Sequence, residues 1–199
     1  FWRLPKEGLA IINRDDPQGI RFSAATAAHK VFYHKNGLEL DGRFLPIKEI
    51  NIGPGGIEFE INRQTIYSKL LGEFNFCNIL AALAFGLGQH IELSKIAQAV
   101  SQVSVVPGRM EFVQREPFLV VVDYAHTPDS LKNVYMFLRE LNSEQVRNPK
   151  LICVLGAAGG GRDKWKRPEF GKIAAEFCDE IILTNEDPYD ENPNQILSE

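Results

Sequence analysis

Apolar and polar positions change rhythm along this chain, and each change predicts a different kind of element. Gly8-Leu9-Ala10-Ile11-Ile12-Asn13 is a short apolar run that stops at Arg14-Asp15-Asp16-Pro17, the pattern of a buried strand feeding a loop. Residues 19–70 alternate in short runs, Ile20-Arg21-Phe22-Ser23, Lys30-Val31-Phe32-Tyr33 and Leu38-Glu39-Leu40 among them. Ile57-Glu58-Phe59-Glu60-Ile61 has clear period-two alternation, and Thr65-Ile66-Tyr67-Ser68 a weaker one. Lys35-Asn36-Gly37, Asp41-Gly42 and Gly53-Pro54-Gly55-Gly56 separate these runs as turns. The spacing predicts a hairpin-rich antiparallel section.

The rhythm becomes helical after Leu71-Gly72-Glu73-Phe74-Asn75-Phe76-Cys77-Asn78. Asn78 is expected to cap an Ala- and Leu-rich helix over residues 79–88, with Gly88 closing it. Phe74, Phe76 and Phe85 are expected in the core. A second helix over residues 93–102, introduced by Glu92, places Ile96 and Val100 on one face. Residues 101–107 read as a linker.

From Arg109 onward strands and helices alternate. Strands are expected at 118–123, 150–155 and 181–184, and helices at 128–141 and 168–177, the latter with Pro168 near its start. Such alternation predicts an α/β domain with a parallel, doubly wound sheet. Ligands bind at the carboxyl ends of strands in these sheets. Three polar loops fall there: residues 123–128, 156–167 and 185–193.

Composition narrows the picture. The 199 residues carry 22 Lys and Arg against 26 Asp and Glu, a formal charge of −4, which disfavours a nucleic-acid partner. No apolar run approaches the ~20 residues of a membrane helix, so no membrane partner is expected. Phe1-Trp2-Arg3-Leu4-Pro5 lacks the pattern of a signal peptide. Cys77, Cys153 and Cys178 form no CxxC pair, which argues for a reducing compartment and against a zinc site or disulfide framework. The chain starts at Phe1, nearly straight into a strand, and stops in what reads as the first turns of a helix; it is expected to be incomplete.

Three stretches could carry chemistry. In Gly156-Ala157-Ala158-Gly159-Gly160-Gly161-Arg162-Asp163-Lys164-Trp165-Lys166-Arg167-Pro168, glycines directly after a strand let backbone N–H groups approach an anion, and the cations reinforce that. Arg162-Asp163 stands where a Walker A loop has Lys-Ser/Thr, and the glycines do not form GxGxxG. The stretch reads as an anion or carboxylate site, or as a plain surface loop. Asp123-Tyr124-Ala125-His126 could do acid–base work. No nucleophile partners it, so a binding role, an acid at a strand end accepting from ribose hydroxyls, is the expectation; helix capping by Thr127 or Asp129 is the alternative. Asn185-Glu186-Asp187-Pro188-Tyr189-Asp190-Glu191 holds four carboxylates that could meet an amino group or a metal, or simply face solvent. His29, His34 and His90 lack metal-ligand spacing.

Taken together, Asn13-Arg14-Asp15-Asp16, the words around Asn78, Pro107-Gly108-Arg109-Met110-Glu111, Asp123-Tyr124-Ala125-His126-Thr127-Pro128-Asp129 and Gly160-Gly161-Arg162-Asp163-Lys164-Trp165-Lys166-Arg167-Pro168 resemble the Mur ligase family, most closely its MurE branch. The resemblance covers nearly the whole chain. It implies that residues 1–106 are the rear of a P-loop-type ATPase central domain with an antiparallel β section. Residues 107–199 would be the front of a Rossmann-like C-terminal ligase domain. The implied reaction joins an amino acid to UDP-N-acetylmuramoyl-dipeptide, using ATP and an acyl phosphate, in peptidoglycan synthesis. A folylpolyglutamate synthase or other amide ligase of the same superfamily, and a non-catalytic nucleotide-binding module, are the alternatives.

Residue by residue, the resemblance gives Asn78 to adenine, Arg109 to the ATP phosphates and Asp123 to ribose, with His126 beside the nucleotide and not a general base. It gives Arg162 to the amino-acid carboxylate, and places Glu186, Asp187 and Tyr189 at the amino-acid pocket. Tyr189 stands where diaminopimelate-using members carry an arginine in Asp-Asn-Pro-Arg, so another amino acid such as lysine becomes possible. No certain catalytic residue is assigned. The GKT-type P-loop, the magnesium-binding side chains and the UDP-sugar domain are expected upstream, so this stretch alone is expected to be inactive. The intact protein is expected to be a cytoplasmic monomer.

Overall fold

Val31, Leu38, Ile57, Phe59, Ile61 and Ile66 point from successive strands into one core that also takes Phe76, Ile79, Leu80, Leu83 and Ala84. This alternation of apolar and polar positions, placed against a helix, organises the first half of the chain. The computed structural model describes residues 1–145, 149–161 and 163–199. It divides into two units, Phe1–Val106 and Pro107–Glu199.

In the first unit, strands β1 (Leu9–Asn13), β2 (His29–His34), β3 (Gly37–Leu40), β4 (Arg43–Gly53), β5 (Gly56–Ile61) and β6 (Gln64–Ser68) form one sheet in sequence order. Only β1 and β2 run parallel; every later pair is antiparallel. The hairpin-rich section is thus present, with one parallel edge. Between β1 and β2 lies a short helix, α1 (Gly19–Ala24). Ile20-Arg21-Phe22-Ser23 therefore corrects the strand-like reading. Asp16 Oδ1 accepts from Gln18 N at 2.7 Å and Asp16 O from Gly19 N at 2.8 Å, and this local turn winds the chain into a helix.

Helices α2 (Glu73–Gly88) and α3 (Leu93–Gln102) cover the sheet. The start of α2 lies earlier than expected. Gly72, at φ 88°, breaks the chain, and Glu73 enters the first turn, where an acid complements the helix dipole. Asn78 is therefore inside the helix, not its cap. It lies on an exposed stripe with Ala82 and Phe85, and Phe85 is 56% exposed rather than in the core. Residues 76, 80, 83 and 84 take the buried face instead. Gly88 is the last helical residue; the left-handed residue beyond it is His90, at φ 59°. A Cβ on Gly88 would meet Leu9 Cδ2 at 2.7 Å, so close packing on β1 explains the glycine.

In the second unit β7 (Glu111–Gln114) pairs antiparallel with β8 (Val120–Val122). Strand β9 (Ile152–Leu155) pairs parallel with β10 (Glu180–Leu183). Helices α4 (Pro128–Gln145) and α5 (Lys166–Phe177) pack together, and α6 (Pro193–Ser198) follows the acidic loop. The parallel pairing expected of an α/β unit is present at β9 and β10. Among the described residues β8 bonds to β7 and not to β9, so the sheet is split rather than continuously wound. Arg139 closes the base of the unit. Its Nε donates to Phe177 O at 2.6 Å, and its guanidinium pairs with Asp179, which also accepts from Leu151 N at 2.7 Å.

Candidate functional site

The turn before β7 is fastened to the end of β8. Met110 N donates to Asp123 Oδ2 at 2.7 Å, and Tyr124 N donates to Gly108 O at 2.8 Å. Gly108 and Met110 both have left-handed backbone, at φ 67° and 44°. Arg109 sits between them, exposed, with its guanidinium 4.8 Å from the Tyr124 ring and NH1 donating to Tyr124 O at 3.3 Å. This short turn presents a cation beside the strand-end acid.

Past Asp123 the chain turns at Tyr124 and His126. His126 Nδ1 lies 3.1 Å from Tyr124 O, and the two rings pack at 4.8 Å. Thr127 caps α4, its Oγ1 accepting from Ser130 N at 3.2 Å while Ser130 Oγ accepts from Thr127 N at 3.2 Å. The capping alternative therefore holds for Thr127. It leaves Asp123 and His126 outside the helix, on the wall of a cleft of about 450 Å³.

That cleft gathers all three polar loops. Asp123, Tyr124 and His126 line it from the first; Gly156, Gly159, Asp163 and Lys166 from the second; Glu186, Asp187 and Tyr189 from the third. Its inner wall is apolar, formed by Val121, Leu131, Val134 and β9. Of the sequence-predicted residues, the cleft brings together Asp123, His126, Glu186, Asp187 and Tyr189. Arg109 stands beside Tyr124. Asn78 belongs to the first unit, where its Nδ2 donates to Asn75 Oδ1 at 3.1 Å. Arg162 lies outside the described residues.

The glycine loop is used differently from a simple anion cradle. Gly159 N donates to Asp187 O at 2.8 Å, and Gly161 N to Glu191 Oε1 at 2.7 Å. These N–H groups meet the acidic loop. A Cβ at Gly159 would lie 2.0 Å from Pro188 O, so the two loops touch along their backbones there. Two of the loop's cations are also committed: Lys164 pairs with Glu191 at 2.8 Å, and Arg167 with Glu191 and Glu199. Lys166 Nζ donates to His126 O at 3.2 Å, tying the second loop to the first.

Sequence reasoning passed over Arg167 and Glu191 as site residues. The available signal was the opposite charge of two neighbouring strand-end loops. Arg167 is 5% exposed; its NH2 reaches both Glu191 oxygens at 3.1 Å and Ala158 O at 3.2 Å. The Arg167 guanidinium, helped by Lys164 and the Gly161 N–H, holds the Glu191 carboxyl down at about 2. In the cleft wall, burial pushes the Tyr135 hydroxyl up, and beside it pushes the Cys178 thiol up to about 12. Cys153 is a hydrogen-bonding neighbour of both. Two cysteines 25 residues apart in sequence thus meet.

Comparison with known proteins identifies the family. The family described as the Mur ligase middle domain matches residues 1–86, and the Mur ligase glutamate ligase domain matches residues 108–199. The chain belongs to the Mur ligase family. A UDP-N-acetylmuramoyl-L-alanyl-D-glutamate–2,6-diaminopimelate ligase from Gloeobacter violaceus is 40% identical over 201 residues, covering 98% of this chain and 39% of the relative. A solved structure of a UDP-N-acetylmuramoyl-L-alanyl-D-glutamate–2,6-diaminopimelate ligase superposes with a TM-score of 0.52 at 30% identity, over 96% of this chain and 39% of that one. MurF from Acinetobacter baumannii gives a TM-score of 0.70 at 21% identity, over 93% and 40% of the two chains, a likeness of fold. This Mur ligase chain thus spans about two fifths of the length of such relatives. Among its described residues no three His, Cys, Asp or Glu side chains are grouped to hold a metal, and no helix is long and apolar enough to cross a membrane.

Proposed function

We propose that this chain is the rear of the central domain, residues 1–106, and the front of the C-terminal domain, residues 107–199, of an ATP-dependent amide ligase. The intact enzyme would join an amino acid to UDP-N-acetylmuramoyl-dipeptide in peptidoglycan synthesis, as a cytoplasmic monomer. The observation that carries this reading is the cleft, where three strand-end loops bearing the family's sequence words converge.

Each residue then has a defined task. Arg109, exposed on a rigid turn, faces the nucleotide phosphates. Asp123 accepts from ribose, with one oxygen already fixed by Met110 N. Asn78, exposed on α2, meets adenine through its amide. His126, its ring packed on Tyr124, stands beside the nucleotide and is not the general base. Arg162 holds the amino-acid carboxylate, and Glu186 and Asp187 attract its ammonium group. Tyr189 closes the same mouth. ATP, when bound, supplies the phosphoryl group that activates the dipeptide carboxylate. The amino acid's amine then forms the amide bond as phosphate leaves, and the protein's contribution is positioning and charge stabilisation. Among the described residues no group of three His, Cys, Asp or Glu side chains is placed to hold magnesium, and its ligands would come from the rest of the intact enzyme.

The test is phosphate release by the intact protein, dependent on both UDP-N-acetylmuramoyl-dipeptide and an amino acid. Residues 1–199 alone are expected to release none. Turnover by this stretch alone, or its absence in the intact protein with every amino acid tried, would refute the respective half of the reading.

A further inference from the structure

Glu191 gathers donors from three places. Arg167 approaches with NH1 and NH2, Lys164 with Nζ, and Gly161 with its backbone N–H. Arg167 in turn grips Ala158 O in the glycine loop and Glu199 at the C-terminal end of α6. A 2%-exposed guanidinium side chain thus holds both loops at the mouth of the cleft. Neither Arg167 nor Glu191 lines the cleft, so neither touches a ligand there.

Resting on the ligase reading above, we propose that the Arg167–Glu191 pair is a positioning latch. It sets the spacing between residues 158–161 of the glycine loop and the loop carrying Asp187 and Tyr189, and so sets affinity for the incoming amino acid. A planar fork on a carboxylate fixes distance and orientation together. A buried pair of this kind adds little net stability compared with apolar packing, so its consequence here is geometry. The second tie between the loops, Gly159 N to Asp187 O, lies nearer β9. Loss of the latch therefore frees the outer part of the glycine loop while the inner part stays anchored. The Asp123 and Arg109 side of the cleft has no contact with the latch and stays as it is.

The experiment uses the intact protein with Glu191→Gln, Arg167→Lys and, as control, Glu199→Gln. Glu199 also pairs with Arg167 but, among the described residues, makes no hydrogen bond to residues 156–161. Phosphate release is followed against meso-diaminopimelate, L-lysine and ATP. Hydrogen exchange is read in peptides spanning residues 156–166. The first two variants should raise the KM for the amino acid about tenfold or more, leave the KM for ATP within about twofold, and speed exchange at Gly161 but not at Gly159. Glu199→Gln should do neither. An unchanged amino-acid KM, an equal rise for ATP, or the same rise in Glu199→Gln overturns the proposal. If wild type turns over neither amino acid, the ligase reading fails. The latch then stands or falls on exchange alone, and unchanged Gly161 protection in Glu191→Gln refutes it. Should Glu191→Gln fail to fold, Glu191→Asp is read in its place, keeping the charge but shortening the reach to Gly161.

Discussion

The Asp123 carboxylate accepts the Met110 amide at 2.7 Å, so the acid at the end of β8 holds the backbone immediately after Arg109. The acid and the cation proposed to meet the nucleotide are thereby one mechanical unit. Asp123→Ala removes this acceptor and should cost ~1 kcal/mol, a fall of a few degrees in melting temperature. Asp123→Asn keeps an acceptor and should melt close to wild type. Arg109 should be displaced only in the alanine variant, which is expected to weaken ATP affinity more than the asparagine variant does. Thermal melts and ATP titrations check both, and equal behaviour of the two variants would show that the bond to Met110 is unimportant.

Gly159 and Gly171 make a paired test of packing. A Cβ at Gly159 meets Pro188 O at 2.0 Å, whereas one at Gly171, exposed in α5, meets nothing within 4 Å. Gly159→Ala should destabilise the second unit by about 1–3 kcal/mol by forcing two backbones apart. Gly171→Ala should stabilise it by up to ~1 kcal/mol, since alanine loses less freedom in a helix. Chemical denaturation of each variant decides, and the expected order fails if Gly159→Ala is neutral.

The Glu191 carboxyl is held at about 2 in the folded protein, below the ~4.3 of an unfolded glutamate. A depressed acid stabilises the fold fully above its unfolded pKa, and that contribution is lost as pH falls through the folded value. The latch should therefore be intact from neutral pH down to about 5, and fail progressively between pH ~4.3 and the folded value of about 2. Melting temperature against pH should fall less steeply over this window in Glu191→Gln than in wild type. Parallel curves would remove Glu191 as a source of the acid sensitivity.

The parts of the fold that were readable in sequence are those decided by local pattern. Helix α3 spans the expected residues because Ile96 and Val100 set its buried face, and β5 shows the alternation of Ile57, Phe59 and Ile61 directly. Helix α1 was not readable, since Ile20-Arg21-Phe22-Ser23 fits either period and the Asp16 turn decided it. The exposure of Phe85 follows from where α2 begins, which Gly72 fixes. In the candidate site, sequence placed the three loops at strand ends correctly but could not foresee how they share partners. The Arg167–Glu191 contact bridges 24 residues, and it redirects charges that, taken locally, pointed to a ligand.

Tyr189 supplies the most direct test of substrate choice. It lines the cleft, 67% exposed, at φ 53°, with its ring against Gly160. Its side chain thus faces the mouth of the pocket from a fixed, left-handed backbone, and an arginine there would start from the same direction. Tyrosine offers an amphipathic ring and one hydroxyl; arginine offers a bidentate fork for a second carboxylate. meso-Diaminopimelate carries that extra carboxylate and lysine does not. A charge-assisted carboxylate contact contributes about 1.5–3 kcal/mol, and 1.4 kcal/mol is a factor of ten. Tyr189→Arg should therefore raise kcat/KM for meso-diaminopimelate over L-lysine by about tenfold or more. The gain should fall mainly in KM, because the contact is made equally in the bound ground state and during reaction. An unchanged preference would mean that the side chain at this position does not reach the substrate's far carboxylate, and that the amino acid is chosen by other groups at the cleft mouth.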